Sequence, residues 1–193
     1  MDLRDDQKYD LTNSNNEAWI TGRGYGSSCI IKEAIKETTS IGGKVLYISP
    51  IPQVLIDLSI DDTKSQGVFN FKEGKVTYAK TFPRLPPEDF DLILIDYVFH
   101  LPFEENLGKW RKYTESSTKV IVVGSPDFHE SVEIPFGKIE EINKYLNTYY
   151  KVTIGSTFMN KNLPDIFLKS ITEEYLSKKD GLSRFKLGIL GMC

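Results

Sequence analysis

The sequence has 193 residues, of which 40% are hydrophobic, 12% aromatic and 26% charged, an ordinary globular composition that excludes disordered, collagen-like and coiled-coil chains. Lys and Arg number 24 against 27 Asp and Glu, a formal net charge of -3, so the chain lacks the basic excess of a small dedicated nucleic-acid binder. Two cysteines in unrelated contexts, Cys29 and Cys193, fit neither a disulfide framework nor a cysteine zinc site, and no run approaches the roughly 18 apolar residues of a membrane span; the expectation is a cytoplasmic protein with no membrane partner.

Residues 1–16 are polar and end in Asn13-Ser14-Asn15-Asn16, which reads as a flexible lead-in to a single domain over 17–193. From Trp19 onward, short apolar runs bounded by Gly, Pro, Asp and Ser alternate with helical stretches, the rhythm of an α/β domain. Trp19-Ile20 runs into the glycine-rich turn Thr21–Ser28, and residues 28–38 place Ile30, Ile31, Ala34 and Ile35 on one helical face. Strands are expected at 44–49, 92–96, 119–124 and 150–154. Two of these are continuously apolar, as buried parallel strands are. Weak alternation over 68–82 around Lys72-Glu73-Gly74-Lys75 suggests a hairpin or a β-arch. Helices are expected at 139–145 and at 166–176, the latter announced by Pro164-Asp165.

The chemistry concentrates at the turn. A glycine-rich segment between a strand and a helix gathers backbone N–H groups at the positive end of the helix dipole and so suits phosphate. Against GxxxxGK[ST], Thr21 takes the first position, with Gly22, Arg23, Gly24 and Tyr25 between it and Gly26. Ser27 replaces the lysine, and Ser28 supplies the hydroxyl that would meet Mg²⁺. A plain structural turn is the alternative. A dinucleotide fingerprint fits less well, because Gly22, Gly24 and Gly26 alternate. The run Leu92–Ile95 ends in Asp96, a candidate Mg²⁺ ligand or a simple strand-end cap, and Tyr97 stands where a hydrolytic enzyme places glutamate. The rule for open sheets puts Asp96 at the C-terminal end of a strand neighbouring the loop. His100 and His129 have no ligand partners at useful spacing and read as loop histidines.

In this order the features resemble the large subunit of the tailed-phage terminase, the ATP-driven DNA-packaging motor, including its gene-transfer-agent relatives. Thr21–Ser28 is similar to the family's GGRGxGK[ST] loop except at the lysine, and Lys44–Pro50 is similar to its next strand. Phe90–Asp96 is similar to its FD-hhhhDE segment, and Trp110-Arg111 to its tryptophan region. Gly124-Ser125-Pro126 sits where the family has its coupling segment. The most specific stretch is Gly155-Ser156-Thr157 through Asn160, Leu163-Pro164, Phe167-Leu168 and Tyr175 to Gly181–Gly188.

The resemblance covers about residues 17–190. It implies a three-layer α/β P-loop NTPase-like domain with a mostly parallel sheet, a nucleotide site at Thr21–Ser28, metal ligation by Ser28 and Asp96, and coupling through Gly124, Ser125 and Pro126. The cofactors implied are ATP and Mg²⁺. The partners are double-stranded DNA, a portal, a small terminase subunit and a nuclease subunit on a separate chain, since no nuclease domain is expected here. With Ser27 for lysine and Tyr97 for glutamate, nucleotide binding is expected to be weak or absent and hydrolysis impaired or lost; losing a general base alone costs about 10²–10⁴ in rate. Two readings follow: a packaging ATPase domain from a prophage or gene-transfer agent, or a non-catalytic pseudo-ATPase retained as a binding or assembly module. Arg23 either supplies the missing charge from upstream or is the arginine that many such loops carry beside their lysine.

Overall fold

The apolar runs become the strands of one sheet. In the computed structural model, residues 3–11, 15–60, 66–126 and 134–177 are described. The strands are β1 (Glu17–Thr21), β2 (Lys44–Ile48), β3 (Gly67–Phe71), β4 (Gly74–Ala79), β5 (Leu92–Ile95), β6 (Lys119–Gly124) and β7 (Lys151–Gly155), in the spatial order β3-β4-β2-β5-β6-β1-β7. All pair in parallel except the β3–β4 hairpin. The domain is thus α/β with a mostly parallel sheet, as expected. Against the sequence reading, β7 starts one residue later.

Alternation along the central strands feeds two separate cores. Ala18, Ile20, Leu46, Ile48, Ile93, Ile95, Val120 and Val122 face one side, where they meet α3 (Phe103–Thr114) and α4 (Phe136–Tyr149). Trp19, Val45, Tyr47, Leu92, Leu94, Ile121 and Val123 face the other, against α1 (Ser27–Ser40) and the short α2 (Gln53–Asp57). Each buried aliphatic side chain of this size contributes about 1.5–3 kcal/mol, so strands covered on both faces anchor the domain. The last helix, α5 (Asp165–Leu176), follows β7. None of the described helices is long and apolar enough to cross a membrane.

Helix α3 has no counterpart among the sequence expectations. Its buried stripe of Phe103, Asn106, Trp110, Tyr113 and Thr114 has helical spacing but mixes polar residues into the apolar face. Trp110 is its anchor: it stacks on Phe82, meets Phe103 edge-on, and donates from Nε1 to the Tyr150 hydroxyl at 2.8 Å.

Residues 3–11, read from sequence as part of a flexible lead-in, lie along the α1 side. Leu3, Tyr9 and Leu11 pack on that core, and the Tyr9 hydroxyl donates to Glu37 of α1 at 2.9 Å.

The parallel topology brings the C-terminal ends of β1, β5 and β6 to one edge, where open α/β sheets bind ligands. Asp96 lies on that edge, but its strand is not the direct neighbour of the loop's strand. β6 intervenes, pairing with β1 through Ile20↔Gly124 and with β5 through Ile95↔Val122. The reason is the sheet order: the chain returns from β5 through α3 to fill the place beside β1.

Candidate nucleotide site

The turn after β1 forms the expected strand-loop-helix. Gly24 and Gly26 have φ of 78° and 97°, conformations that favour glycine, and α1 starts at Ser27 immediately behind them. The Tyr25 N–H bonds the Gly22 carbonyl at 3.1 Å and the Cys29 N–H bonds that of Gly26 at 2.9 Å. Among the described residues, the N–H groups of Gly24, Gly26, Ser27 and Ser28 have no acceptor.

The carbonyls of the same loop are taken. Thr157 Oγ1 donates to the Arg23 oxygen at 2.6 Å, and Asn160 Nδ2 to the Gly24 oxygen at 2.7 Å. The Tyr25 oxygen receives Arg4 at 2.9 Å and Gln7 Nε2 at 3.2 Å, and Gln7 Nε2 also reaches the Gly26 oxygen at 3.1 Å. A peptide bond is planar and trans, so its oxygen and hydrogen point in opposite directions. The held oxygens of Arg23, Tyr25 and Gly26 lie opposite the free N–H groups of Gly24, Gly26 and Ser27, which are thereby fixed in orientation. The result is a set of unpaired donors at a helix N-terminus, a place that suits an anion.

The two large side chains of the loop have partners elsewhere, while Leu163 and Phe167 stand close to Gly24. Tyr25 is buried in the α1-side core, under the Arg4 guanidinium 4.7 Å from its centroid. Its ring lies on the backbone of Gly155, where a Cβ would approach ring atoms to 2.6 Å. Arg23 is exposed and pairs with Glu174 of α5 at 3.4 Å, a contact worth at most about 1 kcal/mol at such exposure. Lys32, one helical turn beyond Ser28, is paired with Asp57 of α2. The Thr21 hydroxyl is buried and has no hydrogen-bond partner among the described residues.

Asp96, buried at 5% exposure, accepts the Tyr47 hydroxyl at 3.0 Å on one oxygen and the Tyr97 N–H at 2.9 Å on the other. Burial pushes its carboxyl up to about 6, against the pull of those two hydrogen bonds. Tyr97 adopts the left-handed conformation, φ 54° and ψ 42°. Its own burial first, and then the carboxylates of Asp96 and Asp57, raise the phenol above its ordinary value, so it stays neutral and offers no general base at neutral pH. Among the described residues no group of three or more His, Cys, Asp and Glu side chains is placed to hold a metal. A Mg²⁺ here would depend on Asp96, the Ser28 hydroxyl, water and the ligand's own phosphates, the sparse protein ligation usual for that ion.

Gly124 closes β6 between the loop's strand and β5, and a Cβ there would meet Val98 at 2.6 Å. Ser125 and Pro126 follow, half-buried and buried. His100 is half-buried and edge-on to Tyr97. His129, the Tyr175 side chain and the stretch Gly181–Gly188 lie outside the described residues. Sequence reasoning missed Tyr47, Arg4 and Gln7 altogether. It noticed Thr157 and Asn160 as a pattern but gave them no contact.

No family model matches the sequence, and no curated protein matches it. Solved structures of the large terminase from the thermophilic bacteriophage D6E do match. One crystal form superposes with a TM-score of 0.62 at 11% identity, covering 100% of this chain and 54% of that one. Its complex with ADP gives 0.62 at 11% over 98% and 53%, and the ATP-gamma-S complex 0.60 at 12% over 94% and 48%. The chain spans about half the length of these structures. At such identity the likeness speaks to architecture alone: over its whole length this chain has the α/β fold of the matched half of a phage large terminase.

Proposed function

We propose that this is a terminase-type nucleotide-binding domain that takes ATP at Thr21–Ser28 and hydrolyses it poorly or not at all. The observation that carries the reading is the loop itself: its carbonyls are held from outside and its N–H groups are unpaired at the start of α1. The fold's neighbours solved with ADP and ATP-gamma-S support the same choice of ligand. Gly24, Gly26, Ser27 and Ser28 would cradle phosphates through the backbone, the Gly22 N–H being taken by the Gly155 carbonyl. Ser28 and Asp96 would meet Mg²⁺, and Gly124, Ser125 and Pro126, lying between loop and carboxylate, would register the γ-phosphate. When bound, ATP supplies the transferable phosphoryl group. At the two motif positions this chain brings neither the fixed lysine charge, replaced by Ser27, nor a carboxylate base, replaced by Tyr97, two defects that act on the same transition state.

The setting we infer is DNA packaging in a prophage or gene-transfer agent. There the domain would work with double-stranded DNA, a portal, a small terminase subunit and a separate nuclease subunit. A pseudo-ATPase that binds or assembles without turnover is the second reading, favoured by Ser27 and by the neutral Tyr97.

Calorimetric titration of the purified protein with ATP and Mg²⁺, followed by steady-state phosphate release, tests both. Binding without release is expected. Absence of binding removes the nucleotide reading, and turnover that disappears in a Ser28→Ala, Asp96→Ala variant removes the impaired-hydrolysis reading and gives Arg23 the role of the missing lysine.

A further inference from the structure

We propose that the groove between residues 83–88 and the C-terminal end of α3 is a docking site for an extended peptide of a partner protein, one whose acidic residues flank an apolar residue. Residues 83–88 precede β5 and the end of α3 precedes β6, and these strands start side by side at Leu92↔Lys119. The groove therefore lies on the sheet edge opposite the nucleotide loop, and it does not depend on the nucleotide reading.

The groove encloses about 630 Å³, inside the roughly 300–1,000 Å³ usual for ligand sites. One wall is a proline-rich stretch that side chains from the other wall hold in a single shape. Lys109 Nζ donates to the Phe82 oxygen at 3.0 Å and the Tyr113 hydroxyl to the Pro83 oxygen at 2.8 Å; Thr118 Oγ1, just beyond α3, donates to the Pro87 oxygen at 2.9 Å. The proline rings restrict φ at 83, 86 and 87, and Pro86 sits at φ -64° and ψ 131°, close to polyproline II. A wall already ordered loses little entropy when a ligand lies along it. Its prolines carry no N–H to offer a pairing strand, so recognition falls to side chains.

Those side chains are unevenly charged. Arg84 and Lys112 are exposed and have no hydrogen-bond or ion-pair partner among the described residues. Lys109 uses two of its ammonium protons on Phe82 and Asn106 and keeps the third. Glu88 and Glu115 also line the groove. Three cations against two carboxylates favour an anionic ligand, yet the carboxylates oppose a continuous polyanion such as a nucleic-acid strand. Separate acidic side chains can be spaced to meet Arg84 and Lys112 while avoiding Glu88 and Glu115. An aliphatic residue between them would cover Leu85, which is 39% exposed beside Arg84.

The test is NMR titration of the isotope-labelled full chain with a short acetylated and amidated peptide of alternating glutamate and leucine. Its glutamine counterpart, inorganic phosphate and a short single-stranded oligonucleotide are titrated in parallel. The acidic peptide should shift the Arg84, Leu85 and Lys112 amides saturably, and the other three probes should leave them in place. Arg84→Gln and Lys112→Gln, both at exposed positions, should keep the wild-type melting temperature and each weaken the acidic peptide about fivefold, the upper worth of an exposed ion pair. No response to the acidic peptide, a response elsewhere on the surface, an equal response to the glutamine peptide, or unchanged affinity in both variants overturns the proposal. So does saturation of the same amides by phosphate, which would make this an anion site only, or by the oligonucleotide, which would make it a nucleic-acid contact.

Discussion

Replacing Asp96 with Asn should make the domain more stable at neutral pH while leaving its stability at pH 4 nearly unchanged. Burial raises the folded-state carboxyl from 3.8 to about 6, so the folded protein holds this proton more tightly than the unfolded chain does. Stability is therefore intact below about pH 4 and is lost as pH rises toward 6, where the buried group must ionise. Two units at about 1.4 kcal/mol each give a loss of about 3 kcal/mol. Asparagine escapes it and keeps the local bonds: its oxygen accepts the Tyr97 N–H, while its amide donates to the Tyr47 hydroxyl. That hydroxyl lies 3.5 Å from the Ile51 carbonyl, toward which it can turn its own proton. Urea denaturation of both proteins at pH 4, 5, 6 and 7 isolates the group, because other titrations cancel in the difference. The stability gap should open by about 2–3 kcal/mol in favour of Asn between pH 4 and pH 7. A gap that stays within about 0.5 kcal/mol across that range, or opens the other way, refutes the assignment of a reluctantly ionised carboxylate.

Gly155→Ala should cost about 1–3 kcal/mol in thermal or chemical denaturation, because the new methyl group enters the Tyr25 ring; an unchanged midpoint would show that the ring moves aside freely. Lys119→Met should cost about 3–5 kcal/mol by leaving Glu17 buried without its 2.8 Å partner, and adding Glu17→Gln should recover most of it in the same assay. In phosphate-release measurements, Ser27→Lys with Tyr97→Glu should restore more turnover than either change alone, since charge and base serve one transition state. Recovery no greater than that of the better single change would place the hydrolytic defect elsewhere.

The central strands were legible because β5 and β6 are apolar on both faces, and the β3–β4 hairpin because its pattern alternates. Helix α3 was not, since Asn106 and Thr114 sit within its buried stripe and hide the period. The loop announced itself through its glycines, whose positive φ is a property of the local chain. Its supports did not, because a donor on Gln7 or Asn160 becomes meaningful only when folding places it on a particular carbonyl. Tyr47 left a faint signal, a hydroxyl inside a buried strand, and Asp96 is the reason for it. The strand order escaped local reasoning for the same cause: nothing near Asp96 in sequence says that β6 will stand between it and the loop.

The two donors on the Arg23 and Gly24 carbonyls come from residues 134 and 136 positions later in the chain, and β1 itself is flanked only by β6 and β7. Closing loops of that length is entropically costly and slow. β1 therefore waits for its first sheet neighbour until β6 (Lys119–Gly124) is made and for its second until β7 (Lys151–Gly155). The loop then takes shape in one of the final steps of folding, so a nucleotide would reward the finished molecule alone and give no help to its precursors.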